Sequence, residues 1–240
     1  MKLTKKIDFQ NVGELCRVLK AERISSERFF LDLDEKDCAH GLYASMKVEV
    51  ESRGFVFIPD EDTLSHIMAA ARWLVDPNGR PGLRLGGLYG NGKSTLALAM
   101  QRFVGFLTER ENGYSQRQTF KFYTAKDICR LCAAAEKFKE QYDEYSRLRT
   151  EPMLIIDDLG EEPTEVMSYG MVHTPVIDII SSRYASRKLT VITSNLNATE
   201  LGAKYGPRIQ DRFKEMLTPI IFTNDSYRTS ENPHPMENAG

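Results

Sequence analysis

The sequence predicts an α/β fold in which a mainly parallel, five-stranded sheet is flanked by helices, and three observations lead to this prediction. From residue 83 onward, short apolar segments alternate with helical patterns, which is typical of parallel strands joined by crossover helices. A glycine-rich loop that ends at Lys93 follows the first apolar segment and precedes a helical pattern. The apolar run 153–156 ends in Asp157 and Asp158, as expected for a buried central strand that carries acids to the carboxyl edge of a sheet. The predicted strands span about 83–88, 119–124, 153–157, 189–194 and 219–223.

Helical patterns lie between these strands and before the first of them. A pair of capped helices is predicted after Asn195, because Asn197 and Glu200 match a capping box and Pro207 suits the first turn of a helix that runs through Met216. The other predicted helices span about 60–75, 93–109, 126–146 and 175–186.

The amino-terminal 55 residues carry a weaker pattern. Apolar residues at 12–19 and 29–31 predict one or two short helices. Ten basic and ten acidic side chains leave residues 1–55 neutral, so this segment is not a basic arm for DNA. We expect 1–55 to be a small partner-binding region and 56–228 to be the α/β domain. The tail 229–240 has two prolines and no periodicity, which predicts disorder.

Composition limits the class of protein further. A chain of 240 residues with 41% apolar and 28% charged residues is not disordered, collagen-like or a coiled coil. The net charge of −2 provides no overall basic field, so any DNA binding would need a local patch. No apolar run approaches the roughly 20 residues of a bilayer helix, and no signal-peptide pattern begins the chain. We therefore expect a cytoplasmic protein whose four cysteines are thiols in the core.

The loop between the first predicted strand and the next helix matches the G-x-x-x-x-G-K-[ST] phosphate loop of P-loop NTPases. Its glycines would let backbone N–H groups turn inward and hold phosphates together with the amino terminus of the helix. Lys93 would reach the β- and γ-phosphates of ATP, and Ser94 would offer its hydroxyl to Mg²⁺. An ordinary glycine turn is the alternative, but the position between a strand and a helix favours the phosphate loop. The predicted nucleotide-binding residues are Gly87, Gly90, Asn91, Gly92, Lys93, Ser94 and Thr95.

Asp157 and Asp158 lie about 60 residues after this loop, where the second half of a P-loop site is expected. Asp157 would hold Mg²⁺ with Ser94, and Asp158 would orient or deprotonate the attacking water. A strand-end turn is the alternative. Because Asp158 is one methylene shorter than a glutamate, we expect slow hydrolysis.

Three polar residues nearer the carboxyl terminus are further candidates. Asn195 follows the strand 189–194 and would hold the γ-phosphate or the water, or would simply cap the next helix. Arg208 and Arg212 are four residues apart and share one helix face. They form either a solvated basic stripe or a site from which an arginine reaches the γ-phosphate bound by a neighbouring subunit.

Taken together, the strings GLYGNGKST, LIIDDLGEE, VITSNLN, YGPRIQDRF and DSYR resemble the AAA+ family of bacterial replicative helicase loaders, DnaC and DnaI, and the related IstB transposition helper ATPases. The resemblance covers about residues 60–228. It implies that Asn195 is sensor 1, that Arg212 is the arginine finger with Arg208 beside it, and that Arg228 is a sensor-2-like arginine at the nucleotide. It also implies a domain without a sizeable carboxyl-terminal lid.

The segment between the second and third predicted strands is long, and loaders of this branch contact single-stranded DNA there. By that resemblance Lys137 and Lys139 would meet phosphates while Phe138, Tyr142 or Tyr145 stacks on a base. The alternative is an amphipathic helix whose aromatic residues are buried. Cys129 and Cys132 form a lone C-x-x-C in the same segment, which predicts core thiols and no zinc site.

The resemblance implies an ATP-dependent helicase loader. Such a protein would bind ATP and Mg²⁺ at subunit interfaces, hydrolyse ATP slowly, and assemble as a homo-oligomer on single-stranded DNA with a replicative helicase. Two alternatives stay open. One is a transposition helper that acts on duplex DNA and a transposase, and the other is a nucleotide-gated adaptor that hydrolyses ATP only weakly.

Overall fold

The computed structural model describes residues 11–22, 28–112, 118–168 and 170–227. The predicted tail and Arg228 lie outside these ranges. The strands are β1 (Gly82–Gly87), β2 (Lys121–Thr124), β3 (Met153–Asp157), β4 (Val166–Ser168), β5 (Met171–His173), β6 (Leu189–Ser194) and β7 (Leu217–Phe222). The helices are α1 (Val12–Glu22), α2 (Glu35–Glu51), α3 (Glu61–Val75), α4 (Lys93–Asn112), α5 (Ala125–Ala134), α6 (Lys139–Arg147), α7 (Pro175–Ala185), α8 (Ala198–Tyr205) and α9 (Pro207–Met216).

The main sheet has five parallel strands in the order β2, β3, β6, β1 and β7, which confirms the predicted fold class. β3 and β6 are buried along their whole length; β3 is apolar up to Asp157, and β6 combines Leu189, Val191 and Ile192 with buried threonine and serine side chains. The predicted strand bounds differ from the observed ones by at most two residues. Because all strands point the same way, the carboxyl ends of β1, β3 and β6 meet at one edge of the sheet.

Helices cover both faces of the sheet and create two apolar cores. The first core lies between the sheet and α2, α3 and α4, and the second between the sheet and α5 to α9. Helix α2 comes from the predicted amino-terminal region and contributes Cys38, Leu42 and Met46 to the first core. The assignment of residues 1–55 to partner binding stays a prediction.

Two predicted helices need correction. The helix predicted over 126–146 is two helices, α5 and α6, because the N–H groups of Lys137 and Phe138 both donate to Ala134 O and close a tight turn between them. Residues 29–31 are not helical; Leu31 N instead donates to Leu74 O and ties this segment to the end of α3.

Two other features departed from the sequence expectations. The antiparallel hairpin β4–β5 was not predicted, because strands of three residues are too short to show alternation. The expectation of four core cysteines is correct for Cys38, Cys129 and Cys132, which are buried free thiols, and wrong for Cys16, which is exposed. Burial raises the pKa of the Cys129 thiol to about 11.

Among the described residues, no helix is long and apolar enough to span a bilayer.

The amino edge of the sheet is held by a buried arginine on α7. Arg183 is fully buried, and its guanidinium donates to Leu148 O (2.9 Å), Glu151 O (2.8 Å) and Leu189 O (2.6 Å). Its Nε donates to the hydroxyl of Thr190 at 2.9 Å. Burial lowers the pKa of Arg183 to about 10, so the side chain stays charged at neutral pH. One side chain therefore joins α7, the start of β6 and the chain that leads into β3.

We expect Arg183→Ala to lower the free energy of unfolding by about 3 to 5 kcal/mol, because it leaves three buried carbonyl groups without their donors. Urea unfolding followed by circular dichroism measures this change. Arg208→Ala is the matched control: Arg208 is exposed on α9, and its loss should change stability by no more than about 0.5 kcal/mol. Equal midpoints for the two variants would contradict the anchoring role of Arg183.

Candidate nucleotide-binding site

The phosphate loop connects β1 to α4, and its glycines are required by backbone geometry. Gly87 has a φ of +148°, and a Cβ there would lie 2.3 Å from Phe222 O on the neighbouring strand β7. Gly92 has a φ of +98°, which side-chain-bearing residues rarely adopt. Helix α4 begins directly afterwards at Lys93, so its free N–H groups face the loop. The loop therefore has the position between a strand and a helix that the sequence predicted, and its binding of phosphate stays a prediction.

Lys93 and Asn91 are buried inside the loop. The Lys93 ammonium donates to Gly87 O at 2.8 Å, to Leu88 O, and to Asn91 Oδ1 at 2.9 Å. The Asn91 side chain donates to Phe222 O at 3.3 Å, so the loop is bonded to β7 as well as to its own lysine. These contacts fix the curvature of the loop around the lysine.

Asp157 ends β3 and lies directly beside the first turn of α4. Ser94 Oγ donates to Asp157 Oδ1 at 2.8 Å, and Thr193 Oγ1 of β6 donates to the same oxygen at 2.6 Å. The two predicted metal ligands, Ser94 and Asp157, are therefore in contact. Mg²⁺ commonly takes one or two protein oxygens and completes its shell with phosphates and waters, so this pair suits it. Among the described residues no group of three or more His, Cys, Asp and Glu side chains suits a metal ion.

Asp158 follows Asp157 in a left-handed conformation, with a φ of +54°. Its N–H donates to Thr193 Oγ1 at 2.9 Å, which keeps the unusual turn in place. The half-buried side chain lines the cleft beside the phosphate loop. Burial, and then the charges of Asp157 and Glu161, raise the pKa of the Asp158 carboxyl. The cleft therefore contains a carboxylate whose proton affinity is higher than that of an ordinary aspartate.

The cleft has a volume of about 630 Å³, and a large part of its lining is apolar. Met46 and Val50 of α2, the segment 55–58 and the ring of Tyr227 supply this apolar lining. Arg53 also lines the cleft and donates to the hydroxyl of Thr95 at 3.3 Å. This composition suits a flat, largely apolar base next to a set of phosphate-binding groups.

Sequence reasoning missed the apolar part of the cleft, because its residues come from both ends of the chain. Four consecutive apolar residues at 55–58, which lie at the predicted domain boundary, were the available signal. Tyr227 was quoted only as part of the DSYR string. In the structure, Tyr227 N donates to Gly90 O at 3.0 Å, and its hydroxyl bonds to Asp60 and Thr63 at the start of α3.

Solved structures with the same fold include two helpful comparisons. The crystal structure of DnaI matches with a TM-score of 0.54 and 20% identity, covering 75% of this chain and 94% of that one. The crystal structure of the DnaC helicase loader matches with a TM-score of 0.50 and 23% identity, covering 69% and 93%. The chain has the fold of these two proteins. A scan against protein-family models and a search of curated proteins gave no match.

Within this fold, Asn195 directly follows β6 and lines the same cleft as Asp158. The competing interpretation as a helix cap is wrong, because Asn197 caps α8 and forms a capping box with Glu200. Tyr89 of the phosphate loop lies on the same side of the cleft, where its hydroxyl donates to Glu161 Oε1 at 2.5 Å. The role of Asn195 as a sensor of the γ-phosphate stays a prediction.

The two candidate arginines lie away from the cleft of their own chain. Arg212 Nη1 donates to the hydroxyl of Ser181, and the guanidinium lies 5.4 Å from the centre of the Tyr184 ring. Arg208 is exposed on the same helix. Neither residue lines the cleft, so neither contacts a nucleotide bound by the same chain. Arg228 lies just beyond the described residues, one position after Tyr227.

The candidate DNA-binding residues surround the break between α5 and α6. Lys137 and Lys139 are exposed, and the rings of Phe138 and Tyr142 are 57% and 52% exposed. Together they line a shallow surface cleft of about 320 Å³. Tyr145, the third aromatic candidate, is wrong: it is buried in the second core and cannot stack on a base.

Proposed function

We propose that this protein is an ATP-dependent DNA replication helicase loader that binds and slowly hydrolyses ATP at subunit interfaces. The observation that carries the proposal is one cleft lined by residues 89–95 of the phosphate loop and by Asp158, with Asp157 bonded to Ser94 next to it, on a fold similar to DnaI and to the DnaC helicase loader. We infer that the protein binds ATP in this cleft, and that it also binds a second copy of itself, single-stranded DNA and a helicase.

ATP binding is supported by the two parts of the cleft. The backbone of the phosphate loop and Lys93 would hold the phosphates, while the apolar lining at 55–58 and Tyr227 would receive the base. Mg²⁺, when bound, supplies positive charge that neutralises the β- and γ-phosphate oxygens. Ser94 and Asp157 would hold it, and Arg228 would reach the nucleotide from its place next to Tyr227.

Hydrolysis would be an in-line attack by water on the γ-phosphate. Asp158 and Asn195 both line the cleft and would orient that water, and Lys93 would stabilise the charge on the phosphate oxygens. Asp158 is held in place through its backbone by Thr193, which is bonded to Asp157. The water-positioning group and the metal-binding group would thus be parts of one bonded unit.

An arginine from the neighbouring subunit would complete the site. Arg212 forms no ion pair within the described part of the chain and bonds to a serine hydroxyl, so little opposes its transfer to a phosphate on another copy. Arg208 would stand beside it. This arrangement makes the monomer a poor ATPase and makes turnover depend on assembly.

We therefore expect the ATPase rate per subunit to rise with protein concentration and to rise further with single-stranded DNA. Arg212→Ala should lower this assembled rate by about 10³-fold while ATP binding survives, because the phosphate loop is intact. Lys93→Ala should lose both binding and turnover. Steady-state phosphate release and binding of a fluorescent ATP analogue measure the two quantities.

Lys214→Ala is the matched control on the same helix, since Lys214 is exposed on α9 and pairs with the exposed Asp211 at 3.6 Å. A rate independent of concentration and unchanged in Arg212→Ala would contradict the shared site. Stimulation by duplex DNA alone would favour a transposition helper, and ATP binding without turnover in every condition would favour a nucleotide-gated adaptor.

The pKa of Asp158 gives the reaction a pH dependence. Asp158 must be ionised to orient water, and its raised pKa means that it takes up a proton at a higher pH than an ordinary aspartate, whose pKa is about 3.9. The turnover number at saturating ATP should therefore fall as the pH is lowered, with a midpoint above that value. Rates measured from about pH 4 to 8, with circular dichroism at each pH to verify folding, test this. A flat profile down to the ordinary range would show that Asp158 does not titrate in the reaction.

Single-stranded DNA would bind at the break between α5 and α6, where exposed aromatic rings alternate with lysines. We expect Phe138→Ala to weaken binding of labelled oligothymidine roughly tenfold, since one base–aromatic stack is lost. Fluorescence anisotropy at fixed salt measures the affinity. Phe106→Ala, which removes an exposed aromatic ring on α4, should leave it unchanged. Equal affinities for the two variants would contradict a DNA-binding site at the break between α5 and α6.

A further inference from the structure

A buried polar cluster lies behind the loop that carries Asp158. Glu162 is 3% exposed; its Oε2 accepts from Gly160 N at 2.8 Å, and its Oε1 accepts from the hydroxyl of Tyr205. Lys204 donates to Gly160 O and to Glu162 O, both at 2.6 Å. Tyr205 and Lys204 end helix α8, so this cluster bonds the loop after β3 to a helix on the second face of the sheet.

The loop needs such support because its backbone is strained. Asp158 has a φ of +54°, in the left-handed region that residues with a side chain seldom adopt, and Gly160 has a φ of +112°. Leu159 N donates to Thr193 O, which holds the first half of the loop against β6. The second half is held by Glu162, through Gly160 N, and by Lys204.

Burial of an ionisable side chain costs free energy, because the charged group loses its hydration. Glu162 bonds a backbone N–H two residues before it in the same loop, and its second oxygen is tied to another helix. Helix α8 is followed directly by Gly206 and α9, the helix that carries Arg212. The cluster therefore lies between the water-orienting carboxylate and the arginine-bearing helix of one chain.

We propose that Glu162 and Tyr205 are positioning residues for ATP hydrolysis: together they hold the loop that carries Asp158 in its hydrolytic conformation against α8. This inference rests on the proposed ATPase function. Neither residue lines the cleft, so both would act through the loop that carries Asp158 and Glu161. Loss of either one removes no group that would bind phosphate or Mg²⁺ and loosens the loop from 158 to 162.

Two conservative variants test the proposal in the full-length protein. Glu162→Gln keeps the volume but leaves one carbonyl oxygen for two donors, and Tyr205→Phe removes only the hydroxyl. We expect each to lower the turnover number about tenfold or more while the dissociation constant of the fluorescent ATP analogue changes less than about twofold. Without nucleotide, hydrogen exchange in the peptide covering 158–162 should become faster in both variants. The melting temperature should also fall, because a buried acceptor loses its donor or its charge, so turnover is compared at a temperature at which both variants stay folded.

The decisive readout is a double-mutant cycle with Asp158→Asn. If Glu162 acts through Asp158, Glu162→Gln lowers turnover in the wild-type background and has no further effect when Asp158 is already replaced. Tyr123→Phe is the matched control, because the hydroxyl of Tyr123 also donates to a glutamate, but to Glu144 of α6 at 2.5 Å and not to a residue of the loop, so its loss should leave turnover unchanged.

The outcomes distinguish failure of the positioning role from failure of the ATPase function. An active wild type whose turnover is unaffected by both variants overturns the positioning role and leaves the ATPase function standing. Additive losses in the cycle, or an equal fall in ATP affinity, would show that Glu162 serves stability alone. A wild type that never turns over ATP overturns both proposals.

Discussion

Oδ1 of Asp157 joins three elements of the fold. It accepts from Ser94 at the start of α4 and from Thr193 on β6, while the aspartate itself ends β3. Hydrogen bonds to a buried carboxylate are strong, and leaving such a group unpaired is costly, so the relative positions of helix and strands are closely restricted. Thr193 also accepts from the N–H of Asp158. The same contacts therefore set the backbone of the next carboxylate.

The strands β3 and β6 are anchored at both ends. At the carboxyl edge the anchor is the Asp157 cluster, and at the amino edge it is Arg183, which bonds to Leu189 and to the chain that leads into β3. Between these polar anchors both strands are buried. A rigid central pair of strands explains how a strained loop after β3 is maintained, since the cost of its unusual backbone is offset by the surrounding contacts.

The cleft combines distant parts of the chain around this rigid centre. Residues 55–58 precede α3, and Tyr227 follows β7, yet both line the same cleft as the phosphate loop. Tyr227 links Gly90 of that loop to Asp60 at the cap of α3. The apolar part of the cleft is therefore complete only when the chain that follows β7 is in place beside the phosphate loop.

The sequence by itself determined the parallel sheet, the phosphate loop and the carboxylates of the site. These features depend on local spacing: an apolar run followed by acids, glycines before Lys93, and a capping box at Asn197. Tertiary structure alone decided the burial of Tyr145 and the apolar lining of the cleft. It also decided the pairing of Glu162 with Tyr205, which are 43 residues apart. Such contacts depend on which helix packs against which strand, and the spacing of residues along the chain does not predict that packing.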